Sequence, residues 1–142
     1  MPLPDFLFWW YQNPLFASLK TFPDAYAAMC DRRLKNSPGE LSAALKGLGT
    51  GQQPSLWDTL AQVKQPLLLL VGGLDPKFVA INREMMAVIK SKQLSRLTVL
   101  EDYGHNLHLE APALCVRTIL KFYLQHISTV KSKHTEEDEE YR

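Results

Sequence analysis

The feature that most constrains the fold is a short apolar run, Leu-Leu-Leu-Leu-Val at 67–71. Pro66 precedes the run, and Gly72 and Gly73 follow it. A run this short, bounded by residues that interrupt helices, is typical of a strand buried on both faces of a parallel sheet. The same residues could begin a buried helix, but their number and their neighbours favour the strand. The run therefore predicts an α/β protein in which this strand has neighbours on both sides.

The residues after this strand predict a βαβ unit. Apolar side chains recur at helical spacing through 77–90, and Leu-Thr-Val-Leu at 97–100 then predicts a second strand. Two strands joined by a helix and short loops normally run parallel with a right-handed crossover. An amphipathic helix is predicted over 110–127, with Pro112 in its first turn.

Three segments of different character divide the chain. Residues 1–62 are predicted to be short helices that Pro and Gly interrupt, and Ser-Pro-Gly-Glu at 37–40 has the spacing of a capping box. Residues 63–127 are predicted to form the α/β segment. Because residues 136–140 are all acidic, we expect a solvated, disordered tail over 128–142.

Composition excludes several classes of function. The chain has 16 Lys and Arg against 15 Asp and Glu, and a net charge of +1 gives no basic surface for nucleic acid. No apolar run approaches the roughly 20 residues that span a bilayer, so no membrane partner is expected. Cys30 and Cys115 form neither a disulfide framework nor a metal-binding spacing. We expect free, buried thiols in a reducing compartment.

Two polar side chains follow the two predicted strands, at the edge where functional groups collect in a parallel sheet. Asp75 follows the first strand and His105 follows the second. A carboxylate there could accept the imidazole N–H and leave the other ring nitrogen to act as a base. The alternative, which these residues alone favour, is a helix-capping Asp and a hydrogen-bonded loop His. His108 follows three residues later, but no third metal ligand stands nearby.

Several short motifs occur in one order over residues 5–125. They are Trp10-Tyr11-Gln12, Pro14-Leu-Phe-Ala-Ser-Leu19, Arg32-Arg33-Leu34, Gly47-Leu-Gly-Thr-Gly51 with Gln53-Pro-Ser-Leu-Trp57, Leu74-Asp-Pro-Lys-Phe78 and Gly104-His-Asn-Leu-His-Leu-Glu110. This series resembles 2-succinyl-6-hydroxy-2,4-cyclohexadiene-1-carboxylate synthase of menaquinone and phylloquinone biosynthesis, an α/β-hydrolase with a Ser-His-Asp triad. The expected nearest match is the last module of a large plant fusion protein. That analogy implies the chloroplast, and otherwise the cytoplasm, although residues 1–20 have no transit-peptide features.

The resemblance implies that Asp75 and His105 are two members of the triad. No Gly-x-Ser-x-Gly occurs in the 142 residues, whereas the family takes its Ser and oxyanion hole from the amino-terminal half of the fold. We therefore expect the carboxyl-terminal part of an α/β-hydrolase: a helical cap segment, the last two parallel strands and flanking helices. The expected function is a partial, pyruvate-eliminating synthase, inactive without the missing half as partner. A fragment of an esterase-like hydrolase and a non-catalytic truncated partner protein are the alternatives.

The resemblance also assigns residues to substrate binding. Arg33 matches an arginine whose planar fork holds a substrate carboxylate, although Arg32 could take its place. Trp10 and Tyr11 match aromatic residues that line the substrate pocket. The competing interpretations are a solvated helix charge for the arginine and core packing for the aromatics. The implied partner is a small polycarboxylate, with no cofactor and no metal.

Overall fold

The chain has an α/β fold, which a computed structural model describes for residues 1–140, with side chains described through 126. The helices and strands in chain order are α1 (Leu3–Trp10), α2 (Pro23–Leu34), α3 (Pro38–Leu48), β1 (Leu67–Gly72), α4 (Pro76–Val88), β2 (Ser95–Leu100), α5 (Leu107–Glu110) and α6 (Pro112–Glu140). Short 3-10 turns lie at Pro14–Phe16, Ser18–Thr21, Trp57–Gln62 and Lys92–Leu94. The predicted disordered tail over 128–142 differs from the described backbone, in which α6 continues as helix to Glu140; the side chains of this segment and residues 141–142 lie outside the description.

The predicted βαβ unit is confirmed. β1 and β2 are parallel, with Leu67 opposite Ser95 and Gly72 opposite Leu100, and α4 connects them. Within the described residues the sheet has these two strands, so β1 is paired along one edge. Along the strand Leu69 and Val71 are buried, whereas Leu68 and Leu70, which point to the other face, are half-buried. The expectation of a strand covered on both faces is not met within the described chain.

The helical segment has its own small core. Proline begins α2 and α3, as predicted, because its fixed φ suits the first helical position. The Ser37 hydroxyl accepts a hydrogen bond from the Glu40 N–H at 3.5 Å, and α3 ends at Leu48 with Gly49 as its C-cap. Side chains from α1, α2 and the turns between them form the core, namely Leu7, Tyr11, Phe16, Leu19 and Met29.

A second cluster lies beneath the sheet. Leu107, Ala111 and Cys115 are buried there against Leu70 and Leu100 of the strands. Burial raises the pKa of the Cys115 thiol, which favours its protonated form. Cys115 is free and buried as predicted, whereas Cys30 is free but only half-buried. No helix in the described part of the chain is both long and apolar enough to cross a bilayer.

Gly72 closes β1 where the two strand-end loops meet. A β-carbon there would overlap the carbonyl oxygens of Tyr103 and Gly104, which are backbone atoms and cannot rotate away. We expect Gly72→Ala to lower the free energy of unfolding by about 1–3 kcal/mol. Urea unfolding followed by circular dichroism measures this change.

The matched control is Gly47→Ala, because a β-carbon at Gly47 in α3 meets nothing within 4 Å. We expect that variant to be more stable by about 0.5–1 kcal/mol, since alanine is the better helix former. Equal unfolding midpoints for the two variants would contradict the proposed close approach at Gly72.

Candidate active site

The two strand-end loops lie side by side because the strands are parallel. The Leu74 N–H in the first loop donates to the Tyr103 carbonyl in the second at 2.9 Å. Asp75 and His105 are the next polar residues along these loops. The structure therefore brings together the two side chains that the sequence placed at one edge of the sheet.

Asp75 and His105 form a short, partly buried hydrogen bond. The imidazole Nδ1 lies 2.6 Å from Asp75 Oδ2. The Asp75 side chain is 3% exposed and the His105 side chain is 29% exposed. Because a carboxylate oxygen accepts, Nδ1–H is the donor, and Nε2 is left with a lone pair that can take a proton. This arrangement suits a general base.

The same carboxylate also caps a helix. Asp75 Oδ1 accepts a hydrogen bond from the Phe78 N–H at 3.1 Å, at the beginning of α4. The sequence left helix capping and imidazole orientation as alternatives. The structure shows both contacts, one for each carboxylate oxygen.

Aromatic rings surround the imidazole. The centroid of the Phe78 ring lies 4.9 Å from that of the His105 ring. The Phe16 and His105 ring centroids are 6.1 Å apart, and these two rings are arranged edge to face. Trp10 lies 6.3 Å from Phe16 and stacks on Phe6 at 5.8 Å. Trp10 is 47% exposed. Trp10 is therefore partly exposed, and Phe16 is the ring that contacts both it and His105.

Tyr11, the other predicted pocket aromatic, lies in the core. It is 4% exposed and packs edge-on against Phe16 at 4.9 Å and Tyr26 at 5.9 Å. Burial and the neighbouring Cys30 raise the pKa of Tyr26, so this phenol stays neutral. The core-packing interpretation describes Tyr11 better than the pocket-lining one.

Arg32 and Arg33 lie in the last turn of α2, and both are exposed. Among the described residues neither guanidinium group takes part in an ion pair, and neither contacts the Asp75–His105 pair. Their position near a helix carboxyl terminus also suits the helix dipole. Carboxylate binding by Arg33 stays a prediction.

One residue close to His105 was missed by the sequence analysis. Glu110 is 5% exposed, its Oε2 accepts the Gly104 N–H at 2.6 Å, and its Oε1 accepts the Ser18 hydroxyl at 2.9 Å. The available signal was a lone acidic residue between the apolar Leu109 and Ala111. Such an acid needs internal partners when it is buried.

The described side chains offer no obvious place for a metal. No three His, Cys, Asp or Glu side chains within residues 1–126 come together in a way that could hold an ion. His108, which follows His105 by three residues, is exposed on α5.

Comparison with known proteins identifies relatives of the chain. No protein-family model matches it. It is 36% identical over 121 residues to a Bacillus subtilis protein provisionally named 2-succinyl-6-hydroxy-2,4-cyclohexadiene-1-carboxylate synthase, covering 84% of this chain and 43% of that protein. The synthase of Enterobacter sp. strain 638 is 34% identical over 130 residues, 89% of this chain and 46% of that protein. Chloroplastic PHYLLO of Arabidopsis thaliana is 28% identical over 118 residues, 80% of this chain and 7% of that protein.

A comparison with solved structures also finds a relative of this chain. MenH from S. aureus superimposes with a TM-score of 0.81 at 33% identity, over 87% of this chain and 46% of that one. The chain thus spans about half the length of the bacterial proteins that it matches. By sequence and by fold, this chain is a relative of the 2-succinyl-6-hydroxy-2,4-cyclohexadiene-1-carboxylate synthases, with which it shares that half.

Proposed function

We propose that this chain supplies the Asp75–His105 pair of a 2-succinyl-6-hydroxy-2,4-cyclohexadiene-1-carboxylate synthase, as the carboxyl-terminal part of an α/β-hydrolase fold. The observation that carries the proposal is the 2.6 Å hydrogen bond between these side chains. It lies at the ends of two parallel strands in a chain related to that family. The names of the relatives favour this synthase over an esterase-like hydrolase.

The proposed reaction is an elimination that releases pyruvate. A serine from the rest of the fold gives its proton to Nε2 of His105, and the serine oxygen removes a proton from the substrate. The electron pair moves through the conjugated system and expels the enolate of pyruvate, which takes up the proton held on His105 Nε2 to become pyruvate and leaves the imidazole neutral again. Asp75 holds the imidazole in the correct tautomer and stabilises the imidazolium that forms.

The proposed substrate is a small polycarboxylate that enters over the helical segment 1–62. Arg33, or its neighbour Arg32, would bind one carboxylate through a bidentate contact. Trp10, which is partly exposed and packs against Phe16, would contribute an aromatic surface to the substrate site. Tyr11 contributes by supporting Phe16 from the core. By analogy with PHYLLO, we extend the proposal to a chloroplast location.

The proposed partner is the remaining half of the fold. Within the described part of the chain one edge of β1 is unpaired, and an apolar groove of about 650 Å³ lies between β1 and α6. Leu68 and Leu70 line this groove with apolar side chains of α6. Large apolar side chains of α6, some of which line the groove, are exposed, namely Val116, Ile119, Leu120, Tyr123 and Leu124. A neighbouring strand and its helix would cover these surfaces.

An assay of pyruvate release tests the proposal. We expect no release from the 142 residues alone, because they contain neither the serine elbow that would remove the substrate proton nor the oxyanion hole that comes with it. We expect release from a chimera in which they replace the matched part of the Enterobacter synthase. Release by the isolated chain that His105→Ala abolishes would contradict the need for a partner. A folded chimera that binds substrate without releasing pyruvate would contradict the synthase assignment.

A further inference from the structure

Glu110 is a buried carboxylate that the proposed reaction does not use. A buried charge is costly unless its hydrogen-bonding capacity is met. Here both oxygens are occupied, one by the Gly104 N–H at 2.6 Å and the other by the Ser18 hydroxyl at 2.9 Å. Both donors lie outside α5, the helix that carries Glu110. The carboxylate therefore connects three separate parts of the chain.

The first connection holds the backbone that leads into His105. Gly104 directly precedes His105. The bond from the Gly104 N–H to Glu110 therefore fixes the Tyr103–Gly104 peptide group, which leads into His105. The carbonyl of the same peptide group belongs to Tyr103, and it accepts a hydrogen bond from the N–H of Leu74, the residue before Asp75, at 2.9 Å. This peptide is thus held from the Asp75 loop on one side and from Glu110 on the other.

The second connection joins the helical segment to the same loop. A β-carbon on Gly104 would overlap the Ser18 hydroxyl, so these two residues are in close contact. Ser18 lies two residues after Phe16, whose ring is 6.1 Å from the imidazole. Glu110 therefore also holds the Ser18–Thr21 turn, which closely follows the turn that carries Phe16, one aromatic neighbour of His105.

We propose that Glu110 is a positioning residue for His105. It holds the backbone at Gly104 so that the imidazole Nδ1–H stays on Asp75 Oδ2, and it keeps the Ser18 turn against that loop. The importance of this for catalysis rests on the proposed function. The geometric effect is independent of it and can be measured without any activity.

Proton NMR of the 142-residue chain with ¹⁵N-labelled histidine tests the proposal. The His105 Nδ1–H bonded to Asp75 should give a downfield resonance that exchanges slowly with water. In Glu110→Ala we expect that resonance to be lost, and the Gly104 amide to exchange with solvent at least tenfold faster. In Glu110→Gln we expect it to be kept, because the amide oxygen can accept from Gly104 and the amide N–H₂ can donate to Ser18.

Two controls separate positioning from general stability. Glu84→Ala removes an exposed carboxylate on α4 and should leave the resonance unchanged. Ile89→Val weakens a fully buried site that is outside the Glu110 contacts, so it should lower stability and keep the resonance. Where Glu110→Ala does not fold, Ser18→Ala cuts one of the two bonds, and we expect a several-fold faster exchange of the Gly104 amide.

The proposal is overturned if the unmodified chain shows no such resonance, or if Glu110→Ala keeps it at wild-type position and intensity. Its loss in Ile89→Val or in Glu110→Gln also overturns the proposal, as does unchanged Gly104 exchange in Ser18→Ala. These outcomes are distinct from a failure of the proposed function. An inactive chimera with the resonance intact rejects the synthase and leaves the role of Glu110 standing.

Discussion

Replacing His105 with Ala in the chimeric synthase is expected to lower kcat by about 10⁴-fold or more. The imidazole Nε2 is the group placed to take the serine proton, and its loss removes the base of a unit whose members act together. KM should change little, because His105 faces the reacting serine in this proposal and the carboxylate contacts come from elsewhere. Steady-state pyruvate release over a range of substrate concentrations gives both constants.

His108→Ala is the matched control for this prediction. His108 lies on the same short segment, is exposed and has no contact with Asp75. We expect its kcat to stay within about twofold of the unmodified chimera, as for most surface substitutions. Comparable losses in both variants, with unchanged circular dichroism, would show that His105 is not the base.

The fold of residues 63–127 could be predicted because its signals are local. An apolar run between Pro66 and the glycines at 72 and 73 was sufficient for β1. Helical spacing then gave α4, and the next apolar run gave β2. Pro and Ser signals likewise marked where α2 and α3 begin. The half-burial of β1 was not predictable in this way, since it depends on what lies beside the strand.

The contact between Asp75 and His105 followed from topology rather than from either residue alone. Carboxyl ends of neighbouring parallel strands share an edge, so the residues that follow them must come close. The sequence could not choose between capping and orientation for Asp75. The structure shows why no choice was needed, because each carboxylate oxygen has its own partner.

Contacts between residues far apart in the chain could not be predicted from the sequence. Ser18 and Glu110 are 92 positions apart and meet through the packing of whole segments. The different burial of the adjacent residues Trp10 and Tyr11 was also not predicted. Successive helical residues point about 100° apart, so one stays partly exposed while its neighbour enters the core.

Asp75→Asn separates the two roles of Asp75 and is the second large effect we expect. Asparagine keeps a carbonyl oxygen for the Phe78 N–H, and Asn and Asp are comparable as N-caps. Its amide nitrogen, however, donates where the carboxylate accepted, so His105 Nδ1 must become the acceptor. The ring proton then lies on Nε2, which can no longer act as a base. We expect kcat for pyruvate release by the chimera to fall by about 10⁴-fold.

Stability measurements complete this prediction. Urea unfolding of the 142-residue chain should place Asp75→Asn within about 0.5 kcal/mol of the unmodified protein, whereas Asp75→Ala, which removes the cap as well, should lose about 1 kcal/mol. A large loss of activity with little loss of stability in the first variant would assign the second oxygen to orienting His105. If Asp75→Asn keeps kcat within tenfold, Asp75 serves only as the cap of α4, and the pair is structural.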